Sequence, residues 1–214
     1  MSAVNIFKAQ RALHILSDGA ACGPDGVLQG LRSRVAPLPH LGCALALRGP
    51  PGFLDAVSWF ATMAPAHGFE DLAGLLEQVV AQAVRTRGGT DPGTFEVFLA
   101  GLAGDGSPHI LAVRGSLSGG GSTLHHLARC IAPSDDGEFG RRLREAVDLD
   151  APNFNPVRDG VRLVERQREL DGGIGGFVQL TTIMQEGIST RILHRWPDVV
   201  GQVVGGRGPE QAPG

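Results

Sequence analysis

Little in this 214-residue chain is suited to covalent stapling or to metal binding. There are three cysteines, Cys22, Cys43 and Cys130, an odd number at wide spacings. That pattern excludes a disulfide framework and a four-cysteine metal site, and it reads as reduced thiols. No window approaches the ~20 consecutive apolar residues needed to span a bilayer, so no membrane partner is expected. The start, Met1-Ser2-Ala3-Val4-Asn5-Ile6-Phe7-Lys8, lacks the basic opening and long apolar run of a secretory signal. A cytoplasmic protein with Ser2 near its true start is the expectation. Basic excess is missing too: 19 Lys and Arg stand against 22 Asp and Glu, a formal charge of −3. The two signs are interspersed, which leaves no face to hold a phosphate backbone and excludes nucleic acid as a partner. Tyrosine is absent altogether.

Glycine is abundant, at 32 residues, and it falls mainly between periodic segments, where it fits turns and strand ends. A hydrophobic content of 42% over this length supports one sizeable core. We expect a single domain over residues 1–204 and a flexible tail over 205–214, the latter from its Gly and Pro content.

Alternating apolar residues, Val4 and Ile6 and then Leu13 and Ile15, predict two strands joined by a turn at Gln10-Arg11. Asp18 to Gly26 reads as a loop, and Val27 to Val35 as a short strand pair. Cys43 to Leu47 reads as a buried strand. Helical spacing follows over Phe53 to Met63 and Leu72 to Val84. Thr94 to Gly101, Ile110 to Val113 and Leu124 to Ile131 suggest a meander of three strands. Two more helices are predicted over Glu138 to Val147 and Val157 to Leu170, and two strands over Phe177 to Met184 and Ile188 to His194. Sheet elements flanking two helix pairs call for an α+β fold in which helices cover the outer faces of stacked sheets.

This order, read with particular residues, resembles the proteasome β-type subunits and the bacterial ATP-dependent heat-shock peptidase, members of the N-terminal-nucleophile hydrolases. The resemblance covers about residues 2–194. With Met1 removed, Ser2 becomes the first residue, and Asp18-Gly19 then falls without a gap at the family's catalytic Asp-Gly. Arg34 falls where the family has its catalytic lysine. Ile131-Ala132-Pro133-Ser134 occupies the place of the family's Gly-Ser-Gly, and Asp171-Gly172-Gly173-Ile174-Gly175-Gly176 is similar to its Asp-x-x-Ser-Gly-Gly. Ile174 stands where that pattern has serine.

The resemblance implies a four-layer αββα sandwich and cleavage of a peptide or amide substrate without a cofactor. Ser2 would supply both nucleophile and base, the base being its own α-amine. Asp18 would orient the cation at position 34, Ser134 and Asp171 would hold the amine and a water, and Gly49 would let a backbone N–H meet the oxyanion. Assembly into a homo-oligomer, as a ring, is implied as well. Arginine stays protonated where lysine can exchange a proton, so a second reading stays open: an inert structural or assembly protein on the same fold.

Bland readings exist for each residue. Ser134 before Asp135-Asp136 is also a helix N-cap with acidic residues in the first turn. The run Gly115 to Thr123 lacks the lysine of a phosphate loop. His125 and His126 alternate faces on a strand and cannot readily share a metal, so no metal is expected. Cys22 would be a nucleophile only with a base beside it.

Overall fold

A computed structural model describes residues 2–50, 52–87, 93–118, 122–133, 137–149, 151 and 154–205. The chain opens with a hairpin, β1 (Val4–Ala9) and β2 (Ala12–Asp18), turning at Gln10-Arg11 as the alternation predicts. A small second hairpin follows, β3 (Ala20–Cys22) with β4 (Leu28–Leu31). Next come β5 (Val35–Leu38) and β6 (Cys43–Arg48), joined by one 3-10 turn at Pro39–Leu41. Two helices, α1 (Phe53–Met63) and α2 (Phe69–Arg87), lead to the long strands β7 (Thr94–Leu102) and β8 (Pro108–Ser116). Short strands β9 (Thr123–Leu127) and β10 (Cys130–Ala132) precede α3 (Gly137–Ala146) and α4 (Pro156–Leu170). The last strands are β11 (Phe177–Met184) and β12 (Gly187–Arg195).

The strands assemble into two five-stranded antiparallel sheets, ordered β10-β1-β2-β11-β12 and β5-β6-β7-β8-β9. Three apolar layers glue the four structural layers together, and the two-residue period of each strand decides which layer a side chain joins. Val4, Ile6 and Ile15 from the first sheet meet Ala44, Ala46, Phe98 and Ala112 from the second, filling the seam between them. Residues of opposite parity face the helices. Leu45, Leu47, Val97 and Leu99 pack against Val57, Leu72 and Leu76 of α1 and α2. Phe7, Leu16 and Leu180 pack against Leu143, Leu163 and Val164 of α3 and α4. This is the αββα sandwich that the element order predicts.

Local chemistry sets the start of α4. Asn155 caps α4 by accepting from the backbone N–H groups of Val157 (2.8 Å) and Arg158 (3.2 Å) through Oδ1, and Pro156 occupies the first turn, where no N–H is needed.

Three expectations need correcting. Ala20–Cys22, read as loop, is strand β3, because the glycine and proline content marks only the turn between Gly23 and Gly26 and not the hairpin arms around it. The stretch 27–35 is not a strand pair: β4 belongs to the small hairpin and Val35 begins an edge strand of a sheet. Leu124 to Ile131 is two strands, not one. β9 ends the second sheet, whereas β10 crosses over to pair with β1 through Val4 and Ala132. No periodicity signals a change of sheet inside so short a run. Of the expected tail, residues 206–214 lie outside the described residues. No helix among the described residues is long and apolar enough to cross a membrane.

Candidate active site

Asp18 ends β2 with its side chain fully buried. A buried carboxylate must have its lone pairs met, and four donors converge on this one. Oδ1 accepts from the Ala3 N–H (2.9 Å) and from Arg34 Nε (2.8 Å). Oδ2 accepts from the N–H groups of Ala20 and Gly175, both at 3.2 Å. Arg34, whose side chain is only 13% exposed, spends a terminal nitrogen on the Ala20 carbonyl. One ion pair thus ties together the chain start, the β3 hairpin and the loop after α4.

Ser2 sits at this junction, 6% exposed. Its neighbour Ala3 is held from both sides, by the bond to Asp18 Oδ1 and by its own carbonyl accepting from the Asp18 N–H at 3.3 Å. The carbonyl of Ser2 accepts from Arg48 Nε at 3.0 Å. A pocket of about 650 Å³ opens in front, lined by Ser2, Cys22, Arg34, Arg48, Glu96 and Arg114 among others. Gly49 lines it too. With φ of 153°, Gly49 lies where a Cβ would meet the Phe95 Cβ at 3.1 Å, so glycine keeps the backbone open to the cavity.

The structure therefore brings Ser2, Asp18, Arg34 and Gly49 together. Among the described residues Asp171 makes no hydrogen bond to Ser2: Oδ1 accepts from the Gly173 N–H (3.1 Å), and Oδ2 is buried without a hydrogen-bond partner. What reaches Asp18 from that loop is the backbone of Gly175. Gly176 makes the approach possible, with φ of +74° and Leu31 and the Gly19 backbone where a side chain would go. Ile174 is a fully buried core residue in the α3–α4 layer. Behind the loop, Asp198 accepts two bonds from Arg168 (2.6 and 2.8 Å) and one from the Gly176 N–H (2.7 Å). Burial alone would push the Asp198 carboxyl up, but these hydrogen bonds hold it below the ordinary carboxylate range. Ser134, with Asp135 and Asp136, lies outside the described residues.

Cys22 lines the pocket with its Sγ 3.7 Å from the Gly173 carbonyl. Burial first, and then the Asp18 charge, pushes its thiol up, away from the thiolate form. Among the described residues no group of three or more His, Cys, Asp and Glu side chains could hold a metal.

Sequence reading missed Arg48, Glu96 and Arg114. Arg48 pairs with Glu96, which also pairs with Arg114 Nε at 2.8 Å. The three stand directly opposite one another across β6, β7 and β8. The available signal was a charge at an inward-facing position of each of three otherwise apolar strands.

No family model matches the chain, and no curated protein matches it in sequence. Among solved structures it is similar to Anbu, as a Gly-1 mutant, from Hyphomicrobium sp. strain MC1. The TM-score is 0.58 at 12% identity, over 91% of this chain and 87% of that one. At this identity the likeness shows the fold alone, the four-layer αββα sandwich.

Proposed function

We propose that this chain is an N-terminal-nucleophile amidohydrolase that cleaves peptide or amide bonds with Ser2, once removal of Met1 has freed its amine. The observation that carries the reading is the convergence of the chain start, Asp18 and Arg34 at the mouth of a cavity that could admit a peptide segment. A serine hydroxyl needs a base. The α-amine, with an ordinary pKa of about 7.7 to 8.0, is neutral in a useful fraction near neutral pH, and the Arg34 cation favours that neutral form.

In the reaction, the amine takes the Oγ proton, directly or through a water, as Oγ attacks the scissile carbonyl carbon. The oxyanion that forms is met by a backbone N–H in the Arg48-Gly49 stretch. Collapse breaks the C–N bond, and the leaving amine departs with the proton held by the Ser2 ammonium. Water then hydrolyses the ester on Ser2 with the same amine as base. Arg34 supplies charge only, since it cannot give up a proton. Asp18 positions Arg34 and the peptide following Ser2. Asp171 shapes the glycine loop that reaches Asp18, and the reading gives Ser134 the role of holding the amine by a hydrogen bond.

Intact mass and an epoxyketone that forms an adduct with both amine and hydroxyl test the reading. The expected result is loss of Met1 and a covalent adduct on the wild-type protein that Ser2→Ala abolishes. Retention of Met1 sinks the mechanism. The second reading, an inert scaffold, is favoured by Arg34 itself, locked on Asp18 and the Ala20 carbonyl; it predicts Met1 loss with no adduct.

The reading includes a homo-oligomer, as a ring. Supporting it, Trp59 and Met63 stand one turn apart on α1, 64% and 66% exposed, on an outer helix layer. Light scattering decides: a monomer at high concentration excludes the ring.

A further inference from the structure

The seam between the sheets changes chemistry abruptly. Successive inward-facing rows across β6, β7 and β8 are Ala44, Ala100 and Ile110, then Ala46, Phe98 and Ala112, then Arg48, Glu96 and Arg114. The first two rows are core. The third is three charges in line, continuing the same face of the sheet into the cavity that holds Ser2. A packing role alone does not call for this, because an apolar row in the same register would close the seam at less desolvation cost.

Around the cavity three guanidiniums, those of Arg34, Arg48 and Arg114, meet two carboxylates, Asp18 and Glu96. Asp18 is sealed from solvent and committed to Arg34. Glu96 is therefore shared between two cations, and one positive charge is left in excess. Arginine presents five donors in a planar fork that matches a carboxylate. Arg48 engages Ser2 and Glu96 through Nε and one terminal nitrogen, and Arg114 engages Glu96 through Nε. Each guanidinium thus has donor capacity beyond these bonds. The Arg114 side chain is half exposed and can reorient, whereas the Arg48 side chain is largely enclosed. Glu96 itself shows that a carboxylate fits between the two.

We propose that the cavity selects a segment carrying a carboxylate, with Arg48 and Arg114 as specificity-determining residues and Glu96 as the resident anion that holds them apart and aimed. An apolar segment would strip water from the guanidiniums without replacing it, and a cationic one would meet the excess charge. The inference deepens the amidohydrolase reading by naming a substrate class, an acidic peptide. Its carboxylate could belong to a side chain or to a free C-terminus.

The test uses the full chain as Ser2→Ala, which removes turnover, and calorimetry with three tripeptides. The first is N-acetylated and C-amidated and ends in glutamate. The second is identical but ends in glutamine, and the third ends in glutamine with a free carboxylate. Recognition of an acidic side chain gives the first an affinity roughly tenfold or more above the second; recognition of a C-terminus gives that advantage to the third. Arg114→Gln is expected to erase whichever advantage appears while the thermal unfolding midpoint stays near that of the parent. The proposal is overturned if none of the three binds, if neither acidic probe exceeds the neutral one, or if Arg114→Gln keeps the preference. A failed amidohydrolase reading looks different: no epoxyketone adduct on the wild-type protein, with the carboxylate preference intact.

Discussion

Two stretches of the same seam, only a few residues apart on the same strands, do opposite jobs. Around Phe98 the facing positions are Ala46 and Ala112, with Val4, Ile6 and Ile15 in the same apolar layer, and every one of these side chains is buried. One inward row further along, Glu96 lies between Arg48 and Arg114, and Ser2 and Arg34 line the same cavity. The backbone register is continuous through both. What differs is whether a buried group needs only shape or needs partners. Apolar rows are stabilised in proportion to the surface they remove from water. The charged row and Asp18 need partners of opposite charge, and for Asp18, fully enclosed, the loss of a partner is the costlier.

That contrast predicts two large effects of similar size and different kind. Phe98→Ala opens a cavity in the apolar stretch and should lower unfolding free energy by about 3 to 5 kcal/mol. The epoxyketone adduct on Ser2 should survive below the new melting point. Asp18→Ala should cost a comparable amount, about 3 to 5 kcal/mol, because it leaves the enclosed Arg34 without its carboxylate. Here the adduct should vanish even at temperatures where the protein is folded. Urea unfolding paired with intact mass measures both, and adduct formation by Asp18→Ala at the wild-type rate would remove Asp18 from the site.

A smaller effect sharpens the comparison from the far end of β2. His14 bonds Thr182 Oγ1 through Nδ1 at 3.1 Å, and burial, then Arg191, lowers its pKa from the ordinary imidazole value. The folded protein therefore takes up this proton at lower pH than the unfolded chain does. Between the ordinary value of about 6.5 and the lowered one, the unfolded state binds more protons, so this contribution to stability is lost as pH falls through that window. His14→Gln should flatten the slope of melting temperature against pH below about 6.5. An unchanged slope would show that another group titrates there.

Much of the sandwich was legible because periodicity is a local property. The first hairpin, both helix pairs and the closing strands follow from apolar spacing and turn residues, and α1 spans Phe53–Met63 as expected. The β3 hairpin was hidden by its short arms, and the passage of the chain from β9 to β10 was hidden because a change of sheet leaves no mark on so short a run. Of the site, Asp18-Gly19 and Arg34 were found through the resemblance, since their spacing from Ser2 matches the family's pattern. Arg48, Glu96 and Arg114 were not, since they lie 18 and 48 positions apart in numbering and meet only through strand pairing.

By itself the sequence determined most element types, because apolar period and turn residues depend on neighbours a few positions away; Ser2, Asp18 and Arg34 were picked out through the family resemblance. Which polar residues share a cavity was decided by tertiary structure alone. The register of three strands turns isolated charges into a row, and the packing of two sheets sets that row before Ser2. The fold around Asp18 likewise turns the Gly175 loop, and not the Asp171 carboxylate beside it, toward the ion pair.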